Sequence, residues 1–297
     1  MEPQANTIGS FVKPISNLFR IITKDTFGKI GLFIVGLVVI LAIIGPYISP
    51  YGAFEIVRNA DGSVARLEPP SFSHPFGTDV FGEDILSQTI IGSRISVIVG
   101  FVSAIFIGLI GTVAGLISGY FGGKVDNAIM RLTDIAYGIP FLPFAVVLVA
   151  LLGTGTWIVI FAVVILYWRG GARVIRSQVL TLRERQYVLA AKAAGASSAR
   201  IIIYHLLPNV FPLTLLYVIF GTAWAVLTEA GLSFLGLGTI GSISWGQMLY
   251  TAFITASIRS AWWWVLPPAA TLTAFLVGIY FVGRACEEAL NPKLRAN

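Results

Sequence analysis

The chain has 297 residues, of which 56% are hydrophobic and only 11% are charged, with a net charge of +6 and a mean hydropathy of +0.85. A soluble domain of this length could not solvate its surface with so little charge, so the composition indicates a membrane protein. The single cysteine excludes an internal disulfide. The positive charge does not point to nucleic acid, because in a membrane protein its distribution along the chain matters more than its sum.

Six apolar segments each approach or exceed the roughly 20 residues that a helix needs to cross the hydrocarbon core. The first is too long for a signal peptide, and no small-residue cleavage site follows it. They predict an all-α polytopic membrane protein, with a transmembrane domain at 29–290 between an N-terminal tail (1–28) and a C-terminal tail (291–297). The predicted spans are 29–48, 93–120, 126–152, 155–178, 209–236 and 262–285.

The basic residues are divided unevenly between the two sides of these spans. With a cytoplasmic N-terminus, sixteen of the twenty Lys and Arg residues fall in cytoplasmic segments and four in external ones. This is the bias of the positive-inside rule, so we expect both termini in the cytoplasm of a multi-pass protein of the cell membrane. The predicted first external loop, 49–92, is acidic instead and contains Glu55, Asp61, Glu68, Asp79, Glu83 and Asp84.

Small residues recur at spacings of three or four along the second span. Such a ridge lets helix backbones approach closely in lipid. It predicts either packing within this chain or a tight or mobile interface with another subunit. The ridge comprises Gly100, Ala104, Gly108, Gly111, Gly115 and Gly119, of which the last four are the helix-packing candidates.

Ionisable residues in two spans are candidates for the translocation pathway or for structural contacts, because charges in a membrane normally face protein or water. Arg131 and Asp134 lie three residues apart and can pair on one helix face. Pro140 follows and predicts a kink. Glu229, late in the fifth span, requires a hydrogen-bond partner or an aqueous cavity, so it is either a buried structural group or part of the lining near an external gate.

Arginines close the fourth span at helical spacing, as Arg169, Arg173 and Arg176. They favour anchoring to lipid headgroups, with support of the following loop as the alternative. The three tryptophans at 262–264 begin the sixth span and favour interfacial anchoring over stacking on sugars.

The loop at 181–208 is polar and basic, and it lies between apolar spans. Its alanines favour helix, Gly195 can supply a turn at positive φ, and Pro208 is placed where a new helix would begin. The pattern predicts a short helix–turn–helix over 185–205 that docks into a soluble partner. The docking candidates are Tyr187, Leu189, Ala190, Ala191, Gly195, Ala196, Arg200, His205, Leu207 and Pro208.

The sequence has no phosphate-binding loop of its own. Such a loop requires G-x-x-x-x-G-K-[ST], whereas Lys124 is followed by Val125 and Lys29 by Ile30. Neither H-E-x-x-H nor G-x-S-x-G occurs, and the spans carry no evident metal site. We therefore expect no enzymatic activity and no bound cofactor in this chain, and we expect any energy source to be a partner.

Several further motifs resemble the dipeptide/oligopeptide permease family of ABC importers, and specifically its C-type subunit. The resemblance covers about 28–295 and includes the Ala-Ala…Gly…Leu-Pro loop. The other motifs, in chain order, are His74-Pro75-Phe76-Gly77-Thr78-Asp79, Gly119-Tyr120-Phe121-Gly122-Gly123, Arg131-Leu132-Thr133-Asp134-Ile135, Ser233-Phe234-Leu235-Gly236-Leu237-Gly238, Ser244-Trp245-Gly246 and Leu290-Asn291-Pro292-Lys293-Leu294. Leu189 departs from the family pattern, which usually has an acid there, and Glu83 stands where a basic residue is common.

The resemblance implies a type I ABC importer permease fold and a heteromeric transporter of peptides. The chain would form half of the pathway with a homologous permease subunit, and loop 185–208 would couple it to two ATPase subunits that bind ATP and Mg. An extracytoplasmic substrate-binding protein would deliver the cargo, with lipid around the spans and no nucleic acid. Oligosaccharides or nickel complexes are alternative cargoes. A channel, a secondary transporter or a membrane-embedded enzyme is a remote alternative.

Overall fold

The computed structural model describes residues 22–255, 257 and 260–290, and this part of the chain is predominantly helical. The predicted tails at 1–28 and 291–297 lie outside it, except for 22–28. In chain order the elements are α1 (Thr26–Ile48), α2 (Ile85–Phe121), α3 (Gly123–Gly138), α4 (Phe141–Leu152), α5 (Thr156–Leu182), α6 (Gln186–Ala193), α7 (Ser198–Ile201), a π-helical turn (Ile202–Leu206), α8 (Leu207–Phe234), α9 (Trp245–Ile254) and α10 (Trp262–Leu290).

Five helices in the described residues are long and apolar enough to cross a membrane. They are α1, α2, α5, the continuous span of α7 and α8 (Ser198–Phe234), and α10. A sixth span results if α3 and α4 are counted together, although the pair is bent by 89° at its break. The six-helix prediction is confirmed with this one span broken.

The predicted kink at Pro140 is a full break. α3 ends at Gly138, Ile139 is extended (φ −85°, ψ 119°), and Pro140 precedes α4. Proline has no N–H to donate, and its ring disfavours a helical conformation at the preceding residue. At 16 and 12 residues, with about 1.5 Å of rise per residue, neither helix alone spans the hydrocarbon core.

The second membrane helix begins at Ile85, eight residues before the predicted start at 93. The Asp84 carboxylate caps it, because Oδ2 accepts hydrogen bonds from the Ser87 amide (2.8 Å) and hydroxyl (2.7 Å). The first turns of α2 are polar, so hydropathy alone predicts that they belong to the loop. The loop before α2 therefore comprises residues 49–84 and is shorter than predicted. We call it the acidic lobe.

The glycine ridge of α2 packs against other helices of the same chain. A Cβ on Gly108 would lie 2.4 Å from Val218 of α8, and one on Gly111 would lie 2.9 Å from the Trp168 carbonyl of α5. Gly115 and Gly119 also lie against α5. The ridge therefore places α2 between α5 and α8 at close backbone distance.

Two of the three tryptophans that open α10 contact protein. Trp264 is 1% exposed, and the Trp263 indole N–H donates to the Thr78 carbonyl (3.4 Å) in the acidic lobe. Trp262 is the one of the three that is largely exposed, at 61%. The anchoring prediction is wrong for Trp264, which is buried within the protein, whereas Trp263 binds the acidic lobe.

Candidate functional site

The segment between α5 and α8, residues 183–206, is the predicted helix–turn–helix and is called the basic segment below. It consists of α6, a turn, α7 and the π-helical turn. Four basic side chains and one acidic side chain give it a positive surface: Arg183, Arg185, Lys192 and Arg200, with Glu184. Its polar character and short helices distinguish it from the membrane-length helices on either side.

The turn at Gly195 is a helix C-terminal cap of the Schellman type. Gly195 has φ +79°, its N–H donates to the Lys192 carbonyl (3.0 Å), and the Ala196 N–H donates to the Ala191 carbonyl (3.0 Å). These bonds satisfy carbonyls that a helix end leaves free. Ser197 then caps α7, because its hydroxyl accepts from the Arg200 amide (3.3 Å). Glycine at 195 and serine at 197 thus explain the sharp reversal.

An apolar root holds the basic segment to the membrane helices. Val188, Ile201 and Leu206 are buried against the ends of α2 and α5. The partners in this cluster include Leu116, Ile175, Val179 and Leu182. Tyr187 and His205 face each other across the reversal, with ring centroids 6.3 Å apart. The root fixes the position of the segment and leaves its other face outward.

The predicted docking residues divide into an exposed set and a partly buried set. The exposed ones are Tyr187, Leu189, Ala190, Gly195 and Arg200. Those partly covered by the chain itself are Ala191, Ala196, His205, Leu207 and Pro208.

Two large hydrophobic side chains of the segment face outward although they were not among the predicted docking residues. Ile203 and Tyr204 are 45% and 53% exposed, and they lie in the π-helical turn, whose wider winding does not follow the helical period. A hydropathy pattern at helical spacing does not reveal such a turn, so it does not predict that these two side chains face outward.

Pro208 lies in the first turn of α8, as predicted, but α8 continues directly from the π-helical turn before it. The helix is continuous from Ser198 to Phe234, and the Leu207 N–H donates to the Ile202 carbonyl five residues earlier. In a regular α-helix the proline ring would clash with the carbonyl of Tyr204. The wider π-helical turn before Pro208 accommodates the ring without interrupting the span.

A cleft of about 460 Å³ lies beside the basic segment. It is open between the end of α2 and helix α6, and it presents both charged and aromatic side chains. Its lining includes Tyr120, Phe121, Arg183, Glu184, Leu189 and Lys192. The cleft extends the exposed face of α6 into a concave surface.

The arginines of α5 bind groups on α3, a role that neither the lipid-anchoring interpretation nor its alternative predicted. Arg176 binds both carboxylate oxygens of Asp126 in α3, each at 2.5 Å. Arg173 pairs with Asp134, and Arg169 donates to the Ala136 carbonyl. We call Arg169, Arg173 and Arg176 the arginine row.

The predicted pair of Arg131 with Asp134 is therefore replaced by a pair between helices. Arg131 is exposed on α3, and the partner of Asp134 is Arg173 of α5. Glu229 is 2% exposed and accepts hydrogen bonds from Ser96 (3.0 Å) and Ser233 (2.7 Å). It has the hydrogen-bond partners that a buried carboxyl group needs. The structure does not bring Arg131, Asp134 and Glu229 together.

The acidic lobe is held by buried polar contacts. His74 Nδ1 lies 3.1 Å from Asp84 Oδ1, and both side chains are almost fully buried. The Thr78 hydroxyl donates to the Ala65 carbonyl (2.5 Å). Asp79 Oδ1 accepts from the amides of Phe81 and Glu83, both at 2.8 Å. The residues of the 74–79 motif therefore hold the lobe together.

Two carboxyl groups of the lobe have raised pKa values. Burial, and then the charge of nearby Asp79, raises the pKa of Glu83 to about 7. Burial is also the main cause that raises the pKa of Asp79. The Gln88 side chain donates to Glu83 Oε2 (2.6 Å). Below neutral pH this carboxyl group is therefore largely protonated.

Two family descriptions match the chain. Residues 111–296 match "Binding-protein-dependent transport system inner membrane component", and residues 14–70 match "N-terminal TM domain of oligopeptide transport permease C".

Curated relatives align over most of the chain. The dipeptide transport system permease protein DppC of Bacillus subtilis is 36% identical over 93% of this chain and 85% of its own length. The oligopeptide transport system permease protein OppC of the same organism is 36% identical over 92% and 87%. The OppC protein of Haemophilus influenzae is 36% identical over 89% and 84%.

A solved structure shares the fold. It is titled as inward-facing conformations of the MetNI methionine ABC transporter, and one of its chains aligns with a TM-score of 0.54 at 20% identity. The alignment covers 69% of this chain and 97% of that chain.

Proposed function

The chain belongs to the family of binding-protein-dependent transport system inner membrane components, and we propose that it forms half of the membrane pathway of a peptide importer. As a family member it is a multi-span protein of the inner membrane and a permease component of an ABC transporter. The proposed cargo is a di- or oligopeptide, since the relatives are named as dipeptide and oligopeptide permeases.

We further propose that the basic segment is the contact through which ATPase subunits drive this permease. The observation that supports this proposal is that the segment has a buried apolar side and an exposed polar side. Its buried root joins α2 and α5, while Tyr187, Leu189 and Arg200 face outward. A helix–turn–helix with an apolar root and an exposed mixed face can transmit a push from a soluble partner to the helices beneath it.

The proposed complex contains a homologous second permease subunit, two ATPase subunits and an extracytoplasmic binding protein. ATP and Mg would be bound by the ATPase subunits, so this chain would not itself be an enzyme. The basic segment and both termini would face the cytoplasm, and the acidic lobe would face outside. A cysteine placed at exposed Asp61 should then react with an impermeant maleimide from outside, and one at Ser197 from inside alone; the reverse would refute this orientation.

Replacing Gly195 by valine tests the docking proposal. A β-branched residue is poorly tolerated at φ +79°. A Cβ at this position would meet no atom of the described residues within 4 Å, so the strain is confined to the turn. We expect Gly195→Val to leave assembly with the sister permease intact and to lower ATP-driven peptide uptake about tenfold.

Gly195→Asn is the matched control, because asparagine accepts the left-handed region far more readily. It should keep most of the uptake. Normal uptake by Gly195→Val would show that the geometry of the turn does not matter for coupling.

A further inference from the structure

Helix α3 depends on polar contacts for its position. Its buried residues are Asp126, Thr133 and Ala136, all polar or small. All three members of the arginine row reach it from α5: Arg176 binds Asp126, Arg173 binds Asp134, and Arg169 donates to the Ala136 carbonyl. Small buried side chains contribute little apolar area. The arginine row therefore determines how α3 lies on α5.

The contact between Arg176 and Asp126 is the most enclosed of these. Both carboxylate oxygens accept from the guanidinium at 2.5 Å, and the Ser118 hydroxyl at the end of α2 donates to Oδ1. The Asp126 side chain is 12% exposed, whereas the Arg173–Asp134 pair is exposed by 45% and 62%. Exposed ion pairs contribute little to stability, so the Asp126–Arg176 pair contributes most to holding α3 against α5.

The pair lies between the basic segment and the broken span. Arg176 is on the same helix as Ile175, Val179 and Leu182, to which the buried root of the basic segment is attached. Asp126 lies in the first turn of α3, which leads through the break at Ile139 into α4. A displacement of the end of α5 would therefore reach α3 through this ion pair.

We propose that Arg176 and Asp126 are positioning residues that convey movement of the basic segment to the α3–α4 pair. This inference rests on the proposed docking function. A two-pronged guanidinium–carboxylate contact fixes orientation as well as distance, whereas an apolar contact permits sliding. The break at Ile139–Pro140 then lets α4 swing while α3 follows α5.

Two reporter cysteines in the assembled complex separate docking from transmission. Leu189→Cys in the basic segment reports docking, and Leu151→Cys in α4, where the native side chain is 78% exposed, reports the swing. The native Cys286 is 1% exposed and contributes little background. Maleimide labelling is followed with and without ATPase subunits, and with and without ATP.

In the otherwise unchanged complex, ATPase subunits should protect position 189, and ATP should change labelling at 151 about tenfold. Asp126→Asn should keep the protection at 189 and lose most of the ATP response at 151. Arg176→Lys, which keeps the charge but not the two-pronged geometry, should give the same split in milder form. It also provides the readout if Asp126→Asn does not assemble.

Asp126→Glu keeps the carboxylate and should restore part of the response at 151. Such a recovery is not expected if Asp126→Asn acts only by destabilising the protein. The control is Arg284→Gln, which breaks the Arg284–Glu288 pair inside α10 and should leave both reporters unchanged.

Three outcomes are distinguishable from the expected one. A normal response at 151 in Asp126→Asn and Arg176→Lys would refute the proposal that this ion pair conveys the movement. Loss of protection at 189 in these variants would also refute it, because the pair would then serve docking itself. Absence of both signals in the unsubstituted complex would refute the docking function instead.

Discussion

The acidic lobe and the basic segment both lie at ends of membrane helices in the described part of the chain, and they are built in opposite ways. In the lobe, the carboxylates of Asp79 and Asp84 are buried and accept backbone hydrogen bonds. In the basic segment, Arg185, Lys192 and Arg200 are exposed. The segment keeps its shape through a backbone turn and an apolar root.

This difference shows that a sequence motif can reflect either the needs of folding or contact with a partner. His74, Thr78 and Asp79 of the lobe form hydrogen bonds within the lobe and to Asp84, which caps α2, so their types are explained by folding. The exposed side chains of Arg185, Lys192 and Arg200 form no hydrogen bond or ion pair with the described residues, which leaves them available to a partner. A substitution in the lobe should therefore affect stability, and one in the segment should affect coupling.

The largest contrast is expected between two glycines at positive φ. Gly77 has φ +74°, and a Cβ there would lie 2.4 Å from the Glu68 carbonyl oxygen and 2.7 Å from Trp263. Gly77→Ala should destabilise the protein by about 3 kcal/mol or more, through strain and overpacking together. Gly195→Ala, with open space around it, should cost about 1 kcal/mol from backbone strain alone. Thermal unfolding of the purified protein in detergent measures both, and equal losses would contradict the contrast.

The two helix caps give the next contrast. Asp84→Ala removes a buried carboxylate that contacts the Ser87 amide and His74, so it should reduce the free energy of unfolding by about 3 kcal/mol. Ser197→Ala removes an exposed cap with a 3.3 Å contact and should cost about 1 kcal/mol at most. A cap at Ser197 that proved as costly as Asp84 would show that the basic segment is as tightly determined as the lobe.

The smallest effect is a pH dependence confined to the lobe. Because the pKa of Glu83 rises from 4.5 unfolded to about 7 folded, the folded protein binds the proton more tightly. The associated stability is present at low pH and is lost as pH rises through this interval. Glu83→Gln, which still accepts from Gln88, should remove the loss. The difference in melting temperature between wild type and Glu83→Gln should therefore change between about pH 5.5 and about pH 8; a constant difference would contradict the assignment.

The sequence was sufficient for the spans, the family and the turn. Long apolar runs predicted all the membrane helices, because hydrocarbon thickness sets their length. Gly195 predicted the reversal because few other residues adopt positive φ. The motif at 74–79 and the Ala-Ala…Gly loop predicted the family, which the matches to relatives confirm.

What the sequence did not reveal depends on contacts between distant residues. The polar first turns of α2 looked like loop, because their burial depends on the lobe above them. Arg173 pairs with Asp134 because α3 lies alongside α5. Trp263 binds the Thr78 carbonyl because the lobe lies against the start of α10. In each case the side-chain type was compatible with two environments, and tertiary packing selected one.

The most direct test of the account is whether ATPase subunits cover the basic segment. Leu189→Cys should react quickly with an impermeant maleimide in inside-out vesicles that contain the permease subunits alone. Adding the ATPase subunits should slow that reaction about tenfold or more, while a cysteine at exposed Lys124 in α3 serves as the reference for vesicle access. An unchanged rate at position 189 in a complex that still transports peptide would contradict the account.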